Sequence, residues 1–133
     1  MIAAVVDTHA LIWYLSGDPR LSDPAKQLLA QIANESNQVA ISSISLIEIT
    51  YLAEKGRLAS DWPKRVFGLF GEADTLFVEA PVNLEIAKSL ALLAGSGIAD
   101  MPDRIIAATS TYFAVPLITR DRAIVGSVVN TLW

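Results

Sequence analysis

Four acidic residues have the sequence surroundings of a single reaction site. Asp7 directly follows an unbroken apolar run at the N-terminus, and Asp121 follows a second apolar segment. Glu48 and Asp103 lie in stretches with helical spacing of apolar residues. Carboxylates gathered in one crevice repel one another and need a cation. The pattern therefore predicts a metal site that carries out hydrolysis.

Three of these acids also have a simpler structural explanation. Asp7 is suitable as an N-cap, and a carboxylate such as Asp103 is favoured in any first helical turn. Asp121 is equally suitable as a turn residue after a strand, with Thr119 supplying the turn chemistry. Either Asp100 or Asp103 could be the third acidic residue of the site, because both lie at the start of the same helix. Asp100 could instead be the cap of that helix. We prefer Asp103, which shares a helix face with apolar and small residues.

The composition excludes several other kinds of site. The chain has 133 residues, no cysteine and one histidine, so disulfides, thiol nucleophiles and a histidine-rich metal centre are excluded. Any metal must be held by oxygen, and His9 is expected to pack or to lie just behind the ligands of the site rather than to act as a catalytic base. A hydrophobic content of 53% predicts a single compact domain over residues 1–133. No apolar run approaches the roughly 20 residues of a membrane span, and no signal peptide is evident, so we expect a cytoplasmic protein without membrane association.

The charge distribution permits a nucleic-acid partner. The formal charge is −4, from 14 acidic and 10 basic residues, and without the four site carboxylates the acidic residues number 10, which balances the basic ones. Divalent ions in the crevice would attract phosphate. Arg104, Arg120 and Arg122 flank two of the proposed site acids and could contact such a substrate.

The elements that position the acids alternate between strands and helices. This alternation predicts an α/β fold with a mostly parallel sheet, whose ligands bind beyond the carboxyl ends of the strands. On the helix from Ser43, Glu48 shares an apolar stripe with Ile47 and Tyr51, while the opposite side is apolar too. A second layer or a partner protein should therefore cover that helix. We expect strands at 1–6, 38–42, 75–78, 115–119 and 128–133, and helices from 8, 22, 43, 60, 81 and 102.

Each of the four site acids lies in a short sequence block. The blocks, in chain order, are Val5-Val-Asp7-Thr-His-Ala-Leu-Ile-Trp, Ser42-x-x-Ser45-x-x-Glu48, Pro102-Asp103-Arg-Ile-Ile-Ala-Ala-Thr and Pro116-Leu-Ile-Thr-Arg-Asp121. In this order they resemble the motifs of PIN domains, and more narrowly those of VapC-type toxins of toxin–antitoxin pairs. The likeness extends over essentially the whole chain.

The resemblance implies a three-layer sandwich with a central, mostly parallel five-stranded sheet flanked by helices. It also implies a Mg²⁺- or Mn²⁺-dependent endoribonuclease that acts as the toxin of a type II toxin–antitoxin system. Thr8 and Thr119 match positions commonly near the metal, and both hydroxyls could hydrogen-bond the site carboxylates. The residues that match the family's acidic set are Asp7, Glu48, Asp103 and Asp121.

The resemblance further implies a homodimer and a small VapB-like antitoxin whose C-terminal segment covers the active site. The helices that start near Ser43 and Ser60 match the partner-binding groove of such proteins, and the three arginines become candidate contacts for the RNA backbone. Two alternatives remain open. One is a non-catalytic interaction module on the same fold. The other is a phosphotransfer or phosphatase domain, although Asp7-Thr-His lacks the second Asp of an Asp-x-Asp motif.

Overall fold

A parallel β-sheet with helices on both faces positions the predicted site. The structure is a computed structural model that describes residues 1–71 and 75–133. The strands are β1 (Ile2–Val6), β2 (Gln38–Ser42), β3 (Phe77–Ala80), β4 (Leu117–Ile118) and β5 (Thr131–Leu132). The helices are α1 (Thr8–Ser16), α2 (Asp23–Asn34), α3 (Ser43–Glu54), α4 (Trp62–Phe67), α5 (Leu84–Leu92), α6 (Met101–Phe113) and α7 (Arg122–Val125).

The strand order places β1 at the centre of the sheet. The order is β3-β2-β1-β4-β5, and every neighbouring pair is parallel, which confirms the predicted α/β fold. Val5 of β1 lies beside Ala40 of β2 and Leu117 of β4. The chain builds β2 and β3 on one side of β1 and then crosses to β4 on the other side, and at this change of direction a crevice opens beyond the carboxyl ends of β1 and its neighbours.

Two separate hydrophobic clusters hold the helices on the two faces of the sheet. Side chains alternate between the faces along each strand. Val6 belongs to the cluster that includes Leu11 of α1 and Leu29 of α2. Val5 belongs to the other cluster, together with Ile106 of α6. The result is the expected three-layer arrangement, with β1 buried between the layers.

Helix α3 is apolar on two sides, and only one of them faces the core. Ile49 is fully buried and Ser45 faces inward with it, whereas Ile47 and Tyr51 are exposed. Of the two apolar sides that the sequence showed, the one with Ile49 therefore packs on the fold, and the stripe with Ile47 and Tyr51 stays accessible. Because the helix is apolar on most of its circumference, its periodicity alone does not select the buried side.

Local hydrogen bonds shift two other boundaries. Strand β3 begins at Phe77 rather than at Thr75, because the Thr75 hydroxyl joins a turn in which it contacts the Leu69 carbonyl and accepts from Phe77 N. Helix α5 begins three residues after Pro81, where Asn83 caps it by accepting from Ile86 N at 3.2 Å. Within residues 1–71 and 75–133, no helix has the length and apolar character needed to cross a bilayer.

Candidate functional site

A cavity of about 640 Å³ lies at the carboxyl end of β1 and receives all four predicted site acids. Asp7 enters it from the end of β1 and Asp121 from the segment after β4. Glu48 comes from α3 and Asp103 from the first turn of α6. The residues lining the cavity are Asp7, Thr8, His9, Glu48, Asp100, Asp103, Arg120, Asp121 and Arg122.

Asp7 is both a helix cap and a residue of the cavity. Its Oδ1 accepts a hydrogen bond from Ala10 N at 2.8 Å, which caps α1. Its Oδ2 accepts a short hydrogen bond from the buried Thr119 hydroxyl, and Thr119 Oγ1 accepts in turn from Asp121 N at 3.1 Å. Thr119 therefore joins the two acidic segments that follow β1 and β4. The capping explanation and the site explanation of Asp7 are compatible.

Glu48 is oriented by two buried hydroxyl groups. Thr8 Oγ1 lies 2.7 Å from Glu48 Oε1 and 2.9 Å from Ser45 Oγ. A hydroxyl has one proton to donate. The Thr8 proton goes to the carboxylate, so the Thr8 oxygen accepts from Ser45. This network confirms the expected hydrogen bonding of Thr8 and fixes one oxygen of Glu48.

Asp100 and Asp103 occupy different environments at the start of α6. Asp100 is exposed and caps the helix, with its Oδ1 accepting from Asp103 N at 3.1 Å. Asp103 is partly buried, and in the described part of the chain no group donates a hydrogen bond to its carboxylate. Asp103 therefore has the oxygens available for a ligand, whereas Asp100 has a structural role at the rim of the same cavity.

The acids destabilise one another's charged forms. Burial raises the pKa of Asp7 and of Glu48, although the hydrogen bonds from Thr119 and Thr8 act in the opposite direction. Burial also raises the pKa of Asp103 to about 7, and the charges of the other cavity acids add to this effect. A bound cation would relieve this repulsion.

The donor chemistry of the cavity suits a hard divalent cation. Mg²⁺ and Mn²⁺ prefer carboxylate oxygens, and Mg²⁺ usually keeps several water molecules while binding only one or two protein carboxylates. Within residues 1–71 and 75–133, no three acidic or histidine side chains converge closely enough to ligate one ion together. The arrangement thus fits an ion held by few protein ligands and by water, rather than an ion in a closed cage of side chains.

The three arginines of the sequence analysis separate into two groups. Arg120 and Arg122 line the cavity, whereas Arg104 is not among the lining residues and has a buried Nε without a hydrogen-bond partner. In the described part of the chain, none of the three pairs with an acid, since the ion pairs found there join Arg20 to Asp18 and Lys88 to Glu85.

His9 also lines the cavity, beside the acids, which is one of the two positions that its sequence indicated. It follows Asp7 by two positions, in the first turn of α1, and it is exposed at the cavity wall. Its ring centroid lies 6.0 Å from that of Trp13. The signal in the sequence was its position beside the helix cap, which brings the first turn of α1 to the same crevice.

A sequence model of the PIN domain family matches residues 4–125. This match includes most of the chain and all four predicted site acids. The chain belongs to the PIN domain family.

Individual relatives agree with this assignment. The chain is 26% identical over 122 residues to Ribonuclease VapC22 of Mycobacterium tuberculosis, with 92% of this chain and 89% of that protein covered. A toxin–antitoxin complex from Klebsiella pneumoniae contains a chain that is 28% identical, with a TM-score of 0.66 and coverage of 98% and 97%. VapBC2 from Rickettsia felis, bound to a promoter DNA fragment, shares the fold at 17% identity with a TM-score of 0.71 and coverage of 99% and 98%.

Proposed function

We propose that this protein is a metal-dependent endoribonuclease that hydrolyses RNA phosphodiester bonds as the toxin of a type II toxin–antitoxin pair. The observation that carries the proposal is the meeting of Asp7, Glu48, Asp103 and Asp121 in one cavity at the carboxyl end of β1. Membership of the PIN family and the similarity to Ribonuclease VapC22 support it. Neither of them favours the phosphotransfer or phosphatase alternative.

The cavity acids divide between holding the cation and orienting its ligands. Asp7, Glu48 and Asp103 would be the primary ligands of Mg²⁺ or Mn²⁺, with at least one of them reaching the ion through water because the three do not converge closely enough to bind it together, and Asp121 would hold a second ion or act through water. When bound, the ion supplies positive charge for the phosphodiester oxygens and increases the acidity of a nearby water molecule. Metal chemistry of this kind requires no side-chain nucleophile.

The chain's own hydrogen bonds prepare these carboxylates for binding. Thr119 and Thr8 hold one oxygen each of Asp7 and Glu48, which limits the rotation of both side chains. Burial and the other cavity acids raise the pKa of Asp103 to about 7, so in the metal-free protein its carboxyl keeps a proton to higher pH than a free aspartic acid does. Asp103 must release that proton when a cation binds, because a ligating carboxylate is deprotonated.

Cleavage of a structured RNA by the purified protein tests the activity. The reaction is run with Mg²⁺, with Mn²⁺ and with EDTA, beside Asp7→Asn. The matched control is Asp61→Asn, which removes an exposed acid at the start of α4 that makes no capping hydrogen bond. We expect metal-dependent cleavage that is lost in Asp7→Asn and kept in Asp61→Asn. Intact RNA in every condition, together with no calorimetric Mn²⁺ binding, would favour the non-catalytic interaction module.

The antitoxin would bind the apolar groove between α3 and α4. The groove encloses about 300 Å³, and Leu46, Ile47, Tyr51 and Phe67 are among the residues that line it. Three large hydrophobic side chains of this groove are more than half exposed, which is unusual for neighbours: Ile47 (61%), Tyr51 (56%) and Phe67 (52%). The solved toxin–antitoxin complex from Klebsiella pneumoniae supports a small VapB-like protein as the occupant.

A charge placed in the groove separates partner binding from catalysis. We expect Ile47→Asp to keep RNA cleavage but to escape neutralisation when the chain is co-expressed with the product of a neighbouring small reading frame. The control is Leu92→Asp, at a hydrophobic residue that is 80% exposed on α5. Equal neutralisation of both variants would exclude this groove.

The resemblance also implied a homodimer. For a homodimer, we expect light scattering of the toxin alone to give a mass of twice 14.3 kDa.

A further inference from the structure

Trp13 lies between the hydrophobic core and two arginine side chains. It is only 6% exposed and belongs to the core cluster that includes α1 and α2. The Cζ atoms of Arg120 and Arg20 lie 4.5 and 4.9 Å from its ring centroid. Trp133 packs against it edge to face at 5.8 Å. The indole is thus a fixed surface on which guanidinium groups stack.

The two arginines on this surface differ in what their donors contact. Arg20 donates from Nε and Nη2 to the two oxygens of Asp18 at 3.1 and 2.8 Å, and these bonds lower the pKa of Asp18 to about 2. Arg120 makes no side-chain hydrogen bond or ion pair in the described part of the chain, and it lines the acidic cavity. Only Arg120 therefore has its N–H groups available to a ligand.

Stacking on Trp13 explains why Arg120 remains available beside several carboxylates. It directly precedes Asp121, yet it forms no ion pair with any cavity acid. A guanidinium that stacks through its face keeps its donors free in its plane, where they match the geometry of a phosphate. The stack also keeps the positive charge from neutralising the oxygens that a cation needs.

We propose that Trp13 is a positioning residue that holds the Arg120 guanidinium at the edge of the cavity, where it donates hydrogen bonds to an RNA phosphate beside the cleaved bond. This inference rests on the proposed function for the identity of the substrate. This inference distinguishes Arg120 from Arg122, for which residues 1–71 and 75–133 supply no aromatic ring, and from Arg104, which is not among the residues lining the cavity.

Single-turnover cleavage at increasing protein concentration tests the role of Arg120. We expect Arg120→Ala to raise the half-saturating concentration roughly tenfold, because a charged hydrogen bond is lost, and to change the plateau rate little. The logarithm of the RNA-binding constant falls linearly with the logarithm of the salt concentration. In Arg120→Ala this slope should become shallower by about 0.7, the contribution of one phosphate contact to a single strand. Arg120→Lys should restore the slope, since it keeps the charge. The matched control Arg20→Ala should behave as wild type, and an equal loss in that control would overturn the proposal.

A double-mutant cycle tests the role of Trp13. Trp13→Phe keeps an aromatic ring but stacks less strongly on a guanidinium, and we expect it to weaken RNA binding about two- to fivefold. In the Arg120→Ala background the same change should have no further effect, because the group that it positions is gone. Equal effects in both backgrounds would assign Trp13 to general packing. Unchanged Mn²⁺ binding and a single cooperative thermal transition would show that the fold of Trp13→Phe is intact, although the smaller buried ring lowers the unfolding temperature.

A direct binding measurement separates this inference from the proposed function. Fluorescence anisotropy of a labelled single-stranded RNA is measured in the Asp7→Asn background, where we expect no cleavage. If the wild type cuts no RNA but Arg120→Ala still weakens binding relative to Arg20→Ala, the nuclease proposal fails and the phosphate contact stands. If the wild type cuts RNA and Arg120→Ala changes neither binding nor salt slope, the phosphate contact is refuted alone.

Discussion

Asp103→Asn should make the metal-free protein more stable at alkaline pH and should flatten its pH dependence. The pKa of Asp103 is raised from 3.8 to about 7, because burial and the other cavity acids oppose its charge. Between these two values the folded protein holds a proton that the unfolded chain has released. The free energy of unfolding of the wild type therefore falls as the pH rises from about 4 to 7, and this loss is complete above pH 7.

The size of the effect follows from the shift and from the exposure of the side chain. A rise from 3.8 to about 7 is roughly 3 units, which corresponds to about 4 kcal/mol for a fully buried group. Because Asp103 is only partly buried, solvent screening reduces this to about 1–2 kcal/mol. Asparagine also loses the favourable interaction of an acid with the first turn of α6, about 0.5 kcal/mol. The expected net gain at pH 8 is about 1 kcal/mol.

Urea unfolding in EDTA at pH 4.5 and pH 8 measures this gain. Asp61→Asn is the matched control, since it removes the same charge from another helix start, outside the cavity. We expect a stability difference between the two pH values in the wild type and in Asp61→Asn, and a smaller difference in Asp103→Asn. A wild type that is equally or more stable at pH 8 would refute the repulsion between the acids. An equal gain in Asp61→Asn would attribute the effect to net charge.

Three further outcomes follow from the site. Asp7→Asn should abolish cleavage while changing the free energy of unfolding by less than about 1 kcal/mol, because relief of repulsion offsets the weakened Thr119 contact; chemical unfolding measures this. Thr119→Val should lose about 1–3 kcal/mol in the same measurement, since Asp121 N loses its acceptor and Asp7 its donor, whereas Thr119→Ser should not. Mn²⁺ binding at pH 6.5 should release a proton from Asp103, detected as a calorimetric heat that depends on the ionisation enthalpy of the buffer, and this release should vanish at pH 9.

Much of the fold could be predicted because its signals are local. A strand buried on both faces of a parallel sheet is an apolar run, so β1 and the acid that ends it are visible in the sequence. The cap at Asp100 and the helix that follows it lie within a few residues of one another, and the structure confirms both. The cap at Asn83 was equally local but was not recognised, and α5 was therefore expected to start at Pro81.

The orientation of α3 and the raised pKa of Asp103 in the cavity could not be predicted in this way. An apolar helix has several sides that could face the core, and contacts from the rest of the fold select the one with Ile49. The pKa of Asp103 depends on burial and on charges that arrive from other elements. Both properties arise from long-range packing, which sequence periodicity does not encode.

The sequence by itself determined the strand–helix alternation, the four acidic positions and the oxygen character of the site, because residue types and short spacings specify them. Only the tertiary structure decided that these acids share one cavity, that Thr119 joins Asp7 to the segment of Asp121, and that Trp13 supports Arg120. These contacts join residues that are far apart in the chain. They form because the parallel sheet brings the carboxyl ends of its strands to one edge.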